Sequence, residues 1–78
     1  MFIEIITPDK TIFSGEVSVA QFPGTCGSFE VLNDHAPTIS TLGKGKIKII
    51  DSEKHTQFIE INSGVVEVLK NKIIVLAE

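Results

Sequence analysis

The chain has 78 residues and a net charge of −3, from seven lysines, ten acids and no arginine. A domain of that length buries only about 60% of the surface its unfolded chain exposes, so it holds one thin core and leaves no room for a deep substrate cavity. The acidic balance and the lack of arginine, the usual reader of phosphates and guanine edges, argue against a nucleic-acid partner.

In chain order, short β-rich runs alternate with turn residues. "FIEII" (2–6) ends in "TPDK", and "TIF" (11–13) stops at Ser14-Gly15. "EVSVAQF" (16–22) places Ser18, Ala20 and Phe22 on one side, and "PGTCGS" breaks it. "FEVL" (29–32) precedes the turn "NDHAP", and "TISTL" (38–42) precedes "GKG". "KIKIID" (46–51) turns Ile47 and Ile49 one way and Lys46 and Lys48 the other. With Lys44, these lysines read as a solvated strand face. After the polar turn 51–54, "HTQFIEIN" (55–62) puts Ile59 and Ile61 opposite Phe58 and Glu60. "VVEVLK" (65–70) and "IIVLA" (73–77) flank Asn71-Lys72, read as a two-residue hairpin loop. "IIVLA" is apolar on both faces, which predicts a strand buried on both. The pattern predicts one all-β domain over residues 1–78, a small sandwich or barrel of eight or so strands.

No run approaches the roughly 20 apolar residues of a membrane helix, and "MFIEIITPDK" lacks the marks of a signal peptide. Cys26 is the single cysteine, so no internal disulfide can form, which fits a reducing compartment.

The unusual chemistry sits in "FPGTCGSFEVLNDHAPTIS" (22–40). Cys26 and His35 are a nucleophile and a base in type only. Nothing in their spacing brings them together, and Asp34, as the neighbour of His35, would point to the opposite face. Cys26, Asp34, His35, Glu53 and His55 lack the close ligand pairs of a structural zinc site. "LGKGK" fails the phosphate-loop pattern, which needs an earlier Gly and a following Ser or Thr. No catalytic residue, cofactor or metal is therefore assigned, and His55 reads as an exposed turn residue. What remains is a loop surface. Gly24 and Gly27 are free to adopt positive φ, and Pro23 and Pro37 stiffen the loop entries. A stiff loop of this kind is pre-organised to meet a partner. Phe2, Phe22 and Phe29 are candidates for an exposed apolar patch or for the core.

Three segments together resemble one family. "EIITPDKTIFSGEV" (4–17), "FPGTCGSFEVLNDHAPTISTLGKGKIKI" (22–49) and "SGVVEVLKNKIIVLAE" (63–78) are similar to the N-terminal domain of the F-type ATP synthase epsilon subunit, called delta in mitochondria. The resemblance implies a flattened β-sandwich of about ten strands, so the expectation for this sequence is eight to ten short strands and no C-terminal helical domain. It implies a non-catalytic rotor subunit of a proton-translocating synthase, peripheral on the cytoplasmic face of the bacterial inner membrane. Its partners would be the gamma subunit and the c-subunit ring, with membrane contact only through that complex. Thr25, Cys26, Gly27 and Ser28 match the family's ring-facing loop. Many members carry an acid where Ser28 stands, and here the nearest charge is Glu30. Asn33, Asp34 and His35 match the segment around the family's "HAP" histidine, near the gamma and ring surfaces. Many bacterial members continue into two inhibitory helices, and this sequence has no residues matching them.

Overall fold

Successive residues of a strand point to opposite faces, so each strand can turn one apolar face inward, and two sheets result. The computed structural model describes every residue from Met1 to Glu78. It contains nine strands: β1 (Phe2–Ile6), β2 (Thr11–Glu16), β3 (Val19–Phe22), β4 (Phe29–Val31), β5 (Thr38–Leu42), β6 (Gly45–Ile50), β7 (Thr56–Ile61), β8 (Gly64–Leu69) and β9 (Lys72–Ala77). They form a five-stranded sheet, in the order β2-β1-β9-β8-β5, and a four-stranded sheet, β4-β3-β6-β7. The molecule is a flattened β-sandwich of 27 × 23 × 18 Å. The core is wholly apolar. Ile3, Ile5, Val66, Val68, Ile73 and Val75 of one sheet face Ala20, Phe22, Val31, Ile47, Ile49 and Ile59 of the other. No polar side-chain atom is buried without a hydrogen-bond partner.

Three details differ from the sequence reading. First, β2 does not stop at Ser14-Gly15. It runs through both, because β1 offers a complete ladder there, pairing Glu4 with Ser14 and Ile3 with Gly15. Tertiary pairing overrides weak local propensity. The chain instead changes sheets at Val17-Ser18. The Val17 N–H donates to the Met1 carbonyl (2.8 Å) on one sheet, and the Ser18 N–H to the Ile50 carbonyl (2.8 Å) on the other.

Second, the β8–β9 hairpin turns at Lys70-Asn71, one residue earlier than the sequence suggests. Leu69 pairs with Lys72, and Lys70 and Asn71 both have positive φ (51° and 60°). That is a type I′ turn built without glycine, and its hand matches the twist of the strands it joins.

Third, β9 is central in its sheet, paired parallel to β1 and antiparallel to β8, yet it is buried on one face only. Ile73, Val75 and Ala77 point inward, while Leu76 is 59% exposed. A run apolar on both faces here means one face in the core and one outward face that is also apolar.

Candidate functional site

The loops singled out by sequence do not form one surface. β4 is only three residues long, and its two ends deliver the chain to opposite ends of the sandwich. Phe29 pairs with Phe22 at one end, and Val31 pairs with Ala20 toward the other.

The 24–28 loop enters β4 at the first end, beside the β5–β6 turn. Gly24 makes an isolated bridge to Leu42. The Thr25 N–H donates to the Thr41 carbonyl (3.1 Å), and the two threonine hydroxyls lie 2.7 Å apart. Gly27 has φ 125°, so positive φ occurs there. Gly24 is not in that region. Its glycine serves close approach, since a Cβ would meet the Gly27 carbonyl oxygen at 2.6 Å and the Phe29 ring at 3.1 Å. Thr25, Cys26, Gly27 and Ser28 are all exposed, as is Glu30 on β4.

The 32–37 loop leaves β4 at the other end, where Met1 and the β8–β9 turn also lie. The terminal amine of Met1 donates to Asn33 Oδ1 (3.0 Å) and to the Val17 carbonyl (3.2 Å), and it lies 3.3 Å from Glu16 Oε2. Asp34 has φ 63°, a left-handed conformation that aspartate tolerates. Its backbone N–H donates to Asn71 Oδ1 (2.7 Å), and Asn71 Nδ2 donates to Asp34 Oδ1 (3.2 Å). His35 is half-buried. Its Nδ1 lies 2.8 Å from the Ala36 carbonyl oxygen, which can only accept, so the ring carries its proton on Nδ1. Nε2 makes no hydrogen bond within the chain.

This arrangement removes the thiol–imidazole pair. Cys26 and His35 sit at opposite ends of the fold, so neither can activate the other. The β6–β7 turn groups Asp51, Glu53 and His55, with ligand atoms within 4.8 Å of one another. Those atoms already serve the turn. Asp51 Oδ1 accepts from the Glu53 and His55 N–H groups (2.9 Å each), and Oδ2 faces His55 Nδ1 at 3.3 Å. The His55 backbone N–H does most to hold the Asp51 carboxyl below its usual value. Partial burial works the other way, and the Glu53 N–H and the His55 side chain add to the lowering. The surface depressions are open to solvent, and the one between β6 and β7 is lined by Lys44, Lys46, Glu60 and Asn62.

The feature that sequence reading missed is the outer face of the five-stranded sheet. Cross-strand register places Ile6, Leu76 and Val65 in one row and Phe2, Lys72 and Leu69 in another. Between them lies the row Glu4, Ile74, Glu67 and Ile39. Ile39 is 74% exposed and Leu69 47%. The outward row Glu30, Gln21, Lys48 and Phe58 of the four-stranded sheet is mostly polar by contrast. Of the phenylalanines proposed for a patch, Phe22 is core, Phe29 packs against the core, and only Phe2 lies on the apolar face. The signal was available in "IIVLA", whose second apolar face has nothing within the chain to cover it.

The chain is thus an all-β sandwich with exposed loops at both ends and one outer face rich in aliphatic side chains. The family model for the β-sandwich domain of the ATP synthase delta/epsilon chain matches residues 1–78, and the chain belongs to that family. It is 40% identical over 76 residues to the ATP synthase epsilon chain of Chlorobium limicola, covering 97% of this chain and 86% of that protein. It is 38% identical to the epsilon chain of Campylobacter curvus over 78 residues, all of this chain and 60% of that one. Among solved structures, the mitochondrial ATP synthase of Euglena gracilis (OSCP/F1/c-ring) contains a chain of the same fold. The TM-score is 0.90 at 18% identity, covering 96% of this chain and 48% of that one. The central stalk/c-ring structure from Tetrahymena thermophila contains another, with a TM-score of 0.82 at 18% identity, covering 99% and 62%.

Proposed function

We propose that this chain is a non-catalytic rotor subunit of a proton-translocating F-type ATP synthase. It docks the gamma subunit onto the c-subunit ring so that ion-driven rotation reaches the catalytic head without slippage. It sits at the cytoplasmic face of the bacterial inner membrane and meets the membrane only through the complex. The observation that carries this reading is the unpartnered apolar outer face on a member of the delta/epsilon family. Exposed aliphatic side chains gathered on one face mark a protein interface. Glu4 and Glu67 flank Ile74 there, with no ion-pair partner in the chain, so the complementary gamma surface is apolar and carries basic groups. A clamp needs two surfaces, and the sandwich supplies them. The apolar face and the His35 end meet gamma, and the Thr25–Ser28 end meets the ring.

The test is complex formation between the 78-residue chain and the cognate gamma subunit, read by size exclusion and calorimetry. One-to-one binding is expected, lost in Leu76→Glu and unaffected by Ser28→Ala. Absence of binding by the unaltered chain, or full binding by Leu76→Glu, overturns the proposal.

A further inference from the structure

We infer that Asn71 is a positioning residue for docking: through its reciprocal pair with Asp34 it holds the His35 loop in its contact geometry. The inference rests on the docking reading above. The loop from Leu32 to Pro37 has little of its own to fix it. Its internal backbone bond, from the His35 N–H to the Leu32 carbonyl, is long at 3.3 Å, and Asp34 stands at φ 63°. The stiff element beside it is the β8–β9 hairpin. Asn71 forms one corner of that turn, and its own carbonyl accepts from the Phe2 N–H at 2.9 Å, tying the turn to β1. From this fixed point the Asn71 side chain makes two bonds, accepting from the Asp34 N–H at 2.7 Å and donating to the Asp34 carboxylate at 3.2 Å. A carboxamide does both at once, through an acceptor oxygen and a donor nitrogen side by side. The neighbouring Asn33 is tied in the same way to the Met1 amine at 3.0 Å. The residue before His35 and the one before that are therefore anchored to the β8–β9 turn and to the N-terminus ahead of β1. His35 adds only a bond to the next carbonyl and stays free at Nε2. A loop ordered before binding does not have to be ordered during it, and the affinity gains by that difference.

The test uses three variants. Asn71→Gly removes the side chain and keeps a residue suited to positive φ, so the hairpin survives. Asn71→Asp sets two carboxylates against each other. The exchange Asp34→Asn with Asn71→Asp keeps the bond from the residue 34 N–H and reverses the side-chain bond, at unchanged net charge. For the free chain, amide hydrogen exchange at Asp34 and His35 is expected to speed up about five- to tenfold in Asn71→Gly, the scale of one or two solvent-exposed hydrogen bonds. Exchange at Val66 and Val75 stays as in the unaltered chain. With gamma, the Kd is expected to rise by a similar factor in Asn71→Gly and further in Asn71→Asp, and to recover in the exchange variant. Binding by Asn71→Gly as tight as by the unaltered chain, or no recovery in the exchange variant, overturns the inference while leaving the docking reading intact. Failure of the unaltered chain to bind gamma overturns both.

Discussion

Gly24 lies so close to the Gly27 carbonyl oxygen that a Cβ on it would stand 2.6 Å away. The nearest obstacle is backbone, and the Phe29 ring stands at 3.1 Å, so a Cβ there forces the loop itself to shift. Gly24→Ala is therefore expected to destabilise the domain by about 1–3 kcal/mol, the range for forced overpacking. Gly27→Ala meets no atom within 4 Å but must adopt φ 125°, so its cost is conformational. Urea unfolding of both variants checks the first claim. A Gly24→Ala midpoint equal to that of the unaltered chain would mean that the 24–28 loop is not packed against Phe29.

The β8–β9 turn offers the opposite case, a position where the chain is below its optimum. Lys70 occupies φ 51°, a region that costs an ordinary L-residue about 1–2 kcal/mol. Asparagine is the preferred residue at that corner of a type I′ turn. Lys70→Asn is expected to stabilise the domain by about 0.5–1 kcal/mol, raising the thermal midpoint by a few degrees in a domain of this size. Differential scanning calorimetry decides the matter, and a fall in midpoint would show that the Lys70 side chain contributes something its geometry does not reveal.

Ile73 and Leu76 lie on the same strand, three residues apart, and face opposite ways. Ile73 is fully buried and Leu76 is 59% exposed. Ile73→Val should cost about 0.5–1.5 kcal/mol for a single lost methylene group. Leu76→Ser removes far more apolar surface, yet should stay within about 0.5 kcal/mol, as surface changes do. The reverse order in chemical denaturation would place Leu76 in a packed environment and remove the apolar face from consideration.

The strands were legible in the sequence because alternation such as "KIKII" fixes a face and needs no tertiary information. Turn positions were legible only where Gly, Pro or Asp mark them. Lys70-Asn71 carries no glycine, and the turn is imposed by the register of Leu69 with Lys72. Ser14-Gly15 looks like a break, but β1 supplies the ladder that keeps it extended. The parallel pairing of β1 with β9 leaves no local trace at all, because it joins the two ends of the chain. The candidate loop residues lie at the surface, exposed except for half-buried His35. Their division between two ends shows only in the contacts of Thr25 with Thr41 and of Asp34 with Asn71, at opposite ends of the β5–β8 ladder. Asn71 was read as a turn residue, and its bond to Asp34, 37 positions away, is visible only in three dimensions.

Asp51 links the fold to pH. In the folded chain its pKa is lowered, first by the His55 N–H and further by the Glu53 N–H and the His55 ring. A group with a depressed folded pKa stabilises the fold above its unfolded value, near 3.8, and that contribution is lost as pH falls through the lower folded value. Asp51→Asn keeps the shape and an acceptor oxygen but removes the charge. The stability difference between the unaltered chain and Asp51→Asn is therefore expected to be constant from pH 7 to 5 as far as this carboxyl is concerned, and to shrink below pH 3.8. Urea titrations of both proteins at pH 7, 5 and 3 measure it. An equal difference at pH 3 and pH 7 would mean that the turn's N–H groups bind the neutral side chain as well as the carboxylate, and that the β6–β7 turn has no part in the acid sensitivity of the domain.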